Sequence, residues 1–211
     1  MQRFFLISIL FTVAFAVPGR SQEVIYTFAN NYFRSSPYKT SFSQFLQHLM
    51  KDPSLSDRRT VLRSDSTLFS FSGSYTSFNP FFFKPGRVEV SLFDAPLQLA
   101  DSLPPADTIM GYQLLAYADD TDRGLKEIKK EQQKIHRHYG KKFSNYNYEE
   151  YKDDGTQEGE QYNYFVAHRM LSPLSVSWHR LKEDKKLVLV ISLRLNIKQN
   201  VALLPELPDN P

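Results

Sequence analysis

A chain of 211 residues, 41% hydrophobic and with no cysteine, can bury a core without covalent staples. It can form no disulfide, thiolate metal site, cysteine nucleophile or lipidated cysteine. Its formal charge of +3 overstates its basicity: residues 22–211 carry 24 basic against 23 acidic side chains, too even a balance for a global field toward nucleic acid or an anionic membrane.

Residues 1–21 read as a secretory signal peptide. Arg3 supplies the positive charge, Phe4 to Val17 a mostly apolar run, and Pro18-Gly19-Arg20-Ser21 an exit with small residues. The run is shorter than the about 20 apolar residues of a permanent span, so no span is expected after cleavage. Pro18 and Gly19 are expected to break a helix there. Cleavage fits after Ala16 or after Ser21; the second is preferred because it removes the whole run with its breaker. Without cysteine or an Asn-x-Ser/Thr sequence, the destination points to a bacterial periplasm or medium rather than a eukaryotic secretory route. Residues 22–203 are expected to form a single domain. Residues 204–211, with Pro205, Pro208 and Pro211, form an extended or disordered tail.

Ser41 caps a helix in which Phe42, Phe45, Leu46, Leu49 and Met50 recur with helical period, and Pro53 lies just past its end. From Thr60 to Tyr75 the period becomes two, with Thr67, Phe69, Phe71, Gly73 and Tyr75 on one face of a strand. The phenylalanine-rich stretch Phe78 to Gly86 is expected to fold over the core as a connection, the alternative being an exposed docking patch. A second strand, Arg87 to Phe93, buries Val88, Val90 and Leu92. After a loop holding Pro96, Pro104 and Pro105, a third strand from about Thr108 to Tyr117 is apolar enough to be covered on both faces.

A helix from about Asp122 to Tyr139 presents Leu125, Ile128, Ile135 and Tyr139, a thin stripe interrupted by Gln132. Tyr162 to Met170 supplies a strand that Ser172-Pro173 turns into a final hairpin. There Leu174, Val176 and Trp178 share one face, and Leu187, Leu189, Ile191, Leu193, Leu195 and Ile197 another. A two-residue turn at Glu183-Asp184 sets Trp178 opposite Leu189 and Val176 opposite Ile191, so the two apolar faces coincide. The order is helix, three strands, helix, three strands, with short connections and no evident internal repeat. It predicts an α+β fold: a mostly antiparallel β-sheet of about six strands with two helices packed on one face.

Catalytic motifs are missing: no nucleophile elbow, zinc-protease helix, phosphate-binding loop or dinucleotide fingerprint occurs. No catalytic residue, metal ligand or cofactor is therefore assigned. His136 and His138 lie about 200° apart on their helix and read as surface residues. His168 and His179 fall in the last strands. In the hairpin register His179 faces away from Trp178, opposite Val188, and becomes a pocket residue if a helix covers that face. Arg123 to Lys142 carries a net +6 and Tyr146 to Gln161 a net −5. That contrast reads as a solvated basic helix beside an acidic loop, or else as an anion-binding helix under an acidic lid. Asp153-Asp154-Gly155 lacks the order of a calcium loop.

Tyr146, Tyr148 and Tyr151, interleaved with asparagines in that acidic loop, combine rigid area with hydrogen bonding, which suits sugars, peptides or partner proteins. The alternation of Tyr146 and Tyr148 also fits a short edge strand. Tyr146, Tyr148, Tyr151 and His179 are thus the candidate ligand- or partner-binding residues. The chain reads as an exported, soluble bacterial protein, a non-catalytic binding or accessory module of the cell envelope. Its partner would be a protein or an envelope component. Two rivals stand beside this: an envelope hydrolase using His168 or His179 with a carboxylate, and a structural subunit of a surface assembly.

Overall fold

A computed structural model describes residues 18–62, 68–94, 109–143, 145–151, 157–165 and 172–196. His168, the Asp153-Asp154-Gly155 run, the proline loop after the second expected strand and the 204–211 tail lie outside the described residues, as do residues 1–17 of the expected signal peptide. The class is α+β, as the element pattern predicts. Among the described residues the sheet, however, has eight strands rather than about six, and three α-helices accompany it rather than two.

The strands are β1 (Leu55–Leu62), β2 (Leu68–Tyr75), β3 (Arg87–Asp94), β4 (Ile109–Asp119), β5 (Asn145–Tyr151), β6 (Gln157–Phe165), β7 (Leu174–Leu181) and β8 (Lys186–Asn196). Their spatial order is β1-β2-β3-β4-β8-β7-β6-β5, and every neighbouring pair is antiparallel. Two four-stranded meanders thus each run from an outer edge to the centre, where β4 and β8 pair over eleven residues each. A helical segment precedes each meander: α1 (Pro18–Tyr32) and α2 (Phe42–Met50) before β1, and α3 (Asp122–Tyr139) before β5. The topology repeats where the sequence shows no repeat.

The final hairpin keeps the expected register, with Trp178 opposite Leu189, Val176 opposite Ile191 and His179 opposite Val188. Its connection differs. Leu181 pairs with Lys186, the Lys185 amide donates to the Lys182 carbonyl (3.3 Å), and Lys185 adopts φ 50°. A four-residue loop therefore replaces the two-residue turn; both are centred between Glu183 and Asp184, so the pairing does not slip.

One sheet face carries Phe71, Tyr75, Val88, Val90, Leu92, Met110, Tyr112, Leu114, Ala116, Tyr164, Leu174, Val176, Trp178 and the odd-numbered leucines and isoleucine of β8, all buried. The helices lie on this face. Phe33 and Phe45 both meet the Tyr112 ring, and Lys129 of α3 sits 4.7 Å above the Trp178 ring. The opposite face is polar along β2 and β7, with Ser70, Ser72, Ser74, Ser175, Ser177 and His179. On β4, Gln113, Leu115 and Tyr117 on that side are only half-buried, so β4 is covered on one face and not, as expected, on two.

Ser41 caps α2 with a reciprocal box to Gln44, and Thr121 caps α3 by accepting from the Gly124 amide at 3.0 Å. Helix α1 has no counterpart in the sequence reading. Pro18 and Gly19 lie in its first turn, where proline sacrifices no helical hydrogen bond, and Ile25, Phe28, Ala29 and Tyr32 form its buried face. Likewise the expected strand from Thr60 to Tyr75 is a hairpin, β1 and β2, and the strand expected at Tyr162 begins at Gln157. The 78–86 connection folds over the core through buried Phe81 and Phe83, leaving Phe82 outside beneath the Lys134 ammonium.

Candidate functional site

The Tyr146–Tyr151 segment is not an acidic loop but part of the edge strand β5, paired on its inner side with β6. Strand alternation divides its three tyrosines. Tyr146 and Tyr148 stand on the helix side, opposite Tyr164 and Tyr162; Tyr151 stands on the other side, opposite Gly159. The structure therefore brings together two pairs, Tyr146 with Tyr148 and Tyr151 with His179, rather than one cluster.

On the helix side His136, read from sequence as a surface residue, organises the aromatic group. Its ring stacks on Tyr162 (4.1 Å between centroids, 15°) and meets Tyr146 edge-on (4.7 Å, 71°), and its Nδ1 lies 3.2 Å from the Tyr164 hydroxyl. Tyr148 lies 5.1 Å from Tyr162. The outer rings stay open: Tyr146 is 47% and Tyr148 44% exposed. Burial lowers the His136 pKa, so the stacked ring is neutral. Burial, then Glu160 and Glu150, raises the Tyr148 pKa; burial, then Glu160 and Tyr146, raises that of Tyr162. These hydroxyls are neutral donors, suited to contact and not to proton abstraction. The available sequence cue was that His136 lies one turn after Gln132, on the same side of α3 as the stripe.

On the other side His179 Nε2 lies 2.9 Å from Ser177 Oγ, and Tyr151 stands 5.8 Å from the imidazole. Burial lowers the His179 pKa. Gly159 permits this packing: a Cβ there would overlap the Trp178 carbonyl. Glu149 accepts from Tyr151 (3.0 Å), Asn147 (3.0 Å) and Asn163 (3.3 Å), and Gln161 donates to Asn163 (2.7 Å). No described helix covers this face, so the condition set for His179 to line a pocket is not met by the described helices. A serine hydroxyl on an imidazole is the nucleophile-and-base half of a hydrolytic site; an orienting group and oxyanion donors make the other half.

A cleft of about 820 Å³ at the end of the sheet is lined by Lys84, Arg87, Tyr117, Asp119, Arg123 and Lys186. Three of its four cations are answered locally: Arg87 by Glu89 (3.1 Å) and the Tyr117 ring, Arg123 by Glu127 (3.0 Å), and Lys186 by Asp119 (2.5 Å). The basic helix and the acidic strands also meet directly, through Lys129 and Glu160 at 2.7 Å. Among the described residues, no cluster of three or more His, Asp or Glu side chains could hold a metal ion, and no helix is long and apolar enough to cross a membrane. No family model matches the chain, and no curated protein or solved structure matches it.

Proposed function

We propose that the chain is an exported, non-catalytic binding module of the bacterial cell envelope, with β5 as its contact edge and a protein strand as its partner. The observation that carries this is the pair of half-exposed tyrosines, Tyr146 and Tyr148, held side by side by Tyr162 and His136 on an outermost strand. Tyrosines already held in place lose little entropy on contact, and an edge strand offers main-chain donors and acceptors to an added strand. Export is supported by the charge–apolar–small pattern of residues 1–21. The described core begins at Ile25, so cleavage after Ala16 or Ser21 leaves it whole.

Capture from an envelope extract tests the edge. Tyr146→Ala/Tyr148→Ala should lose a partner that Tyr151→Ala, altered on the opposite face, retains. Identical partner sets for wild type and the double variant would remove β5 from consideration. N-terminal sequencing of the secreted chain should begin at Val17 or Gln22, and an intact Met1 would end the export reading.

The 2.9 Å contact between Ser177 and His179 favours a second reading, an envelope hydrolase. An active-site fluorophosphonate should then label Ser177 and spare His179→Ala. An unlabelled wild-type chain excludes that reading.

A further inference from the structure

We propose that the partner strand for β5 is β1 of a second copy of this chain, so that the sheet continues head to tail from molecule to molecule; this rests on β5 being a contact edge. Five large hydrophobic side chains are exposed among the described residues, and four of them lie on the two outermost strands: Val61 (50%) and Leu62 (57%) on β1, Tyr146 and Tyr148 on β5. The fifth, Phe82 (76%), lies away from both edges, on the 78–86 connection with the Lys134 ammonium over its ring. The two edges also differ in charge. β5 carries Glu149 and Glu150 and no cation; β1 carries Arg58 and Arg59 against Asp57. Two β5 edges together would oppose glutamates, and two β1 edges would oppose arginines. Only the unlike pairing is complementary.

Topology permits that pairing without reversing a molecule. Eight alternating strands leave β1 and β5 pointing in opposite directions, so a copy placed beside the first sets its β1 antiparallel to β5 with both helical layers on one side. In the register that sets Glu149 opposite Arg59, Tyr148 faces Thr60 and Asn147 faces Val61. The faces agree: Arg59 and Val61 pair with Ser72 and Ser70 of the open side, and Thr60 with Phe71 of the helix side. A one-residue slip would put each side chain on the wrong face. The two irregularities of β1, between Ser56 and Arg59 (Asp57 at φ 48°) and between Val61 and Leu62, flank this Arg59–Val61 stretch. Because the two surfaces differ, the contact does not close on itself and extends into a row.

The purified protein should show a weight-average mass that rises with concentration and falls back in high salt. Two exposed-edge variants separate the surfaces: Arg59→Glu/Val61→Glu blocks β1, and Tyr148→Lys/Glu150→Lys blocks β5. Each alone should stay monomeric, and their mixture should form a dimer and nothing larger. The cysteine-free background allows a check that does not depend on these folds. Thr60→Cys mixed with Tyr148→Cys should yield a disulfide-linked pair faster than Thr60→Cys mixed with Tyr151→Cys. A wild-type chain of constant mass, with both cysteine mixtures cross-linking at equal rates, would overturn the proposal. If the β5 variant nevertheless loses a different captured protein, the second-copy partner falls and the contact edge stands. If neither capture nor self-association changes in that variant, the contact edge itself falls.

Discussion

Gln132 sits in the middle of the otherwise apolar stripe of α3 and is fully buried, its Nε2 donating to the carbonyls of Glu160 (2.9 Å) and Val176 (3.2 Å). The residue that seemed to interrupt the stripe thus ties the helix to β6 and β7. Its neighbour Glu131 is less comfortable. It is 3% exposed, accepts one amide, from Phe82 at 3.2 Å, and leaves Oε1 without a partner among the described residues. Burial raises its pKa from the ordinary 4.5, with the Phe82 amide and Lys134 pulling it back down. The folded state therefore binds this proton more tightly than the unfolded chain. Stability is lost as pH rises from about the unfolded value through the raised one, and nothing is lost below both. Glu131→Gln keeps an acceptor for Phe82 and cannot ionise. Relative to wild type it should gain stability as pH rises above 4.5, with no such trend below; urea midpoints across pH measure this, and a pH-independent difference would refute it. Lys185 is a second strained point. A lysine at φ 50° carries a cost glycine avoids, so Lys185→Gly should stabilise by about 0.5–1 kcal/mol after allowing for glycine's freer unfolded chain. A lowered denaturation midpoint would contradict this.

At the scale of elements, α1 makes the sharpest claim. Ile25, Phe28 and Ala29 have no exposed surface, and Tyr32 and Phe33 are buried beside them. Each large side chain contributes about 1.5–3 kcal/mol, and a whole domain is stable by only about 5–15 kcal/mol. Removing residues 1–21 should leave the melting transition intact, whereas removing residues 1–33 should abolish it; a cooperative melt from the shorter chain would show that α1 is an appendage. What could be read in advance follows the same physics. Helix α3 and the β7–β8 hairpin were legible, the hairpin down to its register, because each buries one clean face and only one register aligns the two faces of the hairpin. Strand β1 was hidden, and β5 was legible only as the alternative that the alternation of Tyr146 and Tyr148 allowed, because edge strands bury little, so Arg58, Arg59, Glu149 and Glu150 interrupt the apolar period. Helix α1 repeats Ile25, Phe28, Ala29 and Tyr32 at helical spacing, but β-branched and aromatic residues fill it, and the Pro18-Gly19 pair ahead of it read as a break. The aromatic site was half legible. Tyr146 and Tyr148 were named from composition, whereas His136 and Tyr162 join them only through the pairing of β5 with β6 and the docking of α3.

The whole molecule is two halves of one plan, each a helical segment and a four-stranded meander, divided between Asp119 of β4 and the start of α3. The halves are not independent. Their sheet is joined only where β4 meets β8, so either half alone would leave a long central strand unpaired, with its apolar face extending past its own helices. The helical layer is shared as well. Phe28 of α1 packs edge-on against Tyr139 of α3 at 4.7 Å, Asn31 donates to the Tyr139 hydroxyl at 2.8 Å, and the Phe82 amide reaches across to Glu131. Separating the halves would expose Phe28 and Tyr139 together with Leu114, Ala116, Leu189 and Ile191, all buried in the intact chain, a loss of the same order as the total stability. Residues 22–119 and 120–211, produced as separate chains, should each lack a cooperative melt and should fold together as a one-to-one complex when mixed, as followed by circular dichroism and native mass. A cooperative transition from either half alone would mean that the core is two cores, with β4 and β8 merely abutting. The shared aromatic contacts of α1 and α3 argue against that, because they give each half a helix whose buried face is completed only by the other.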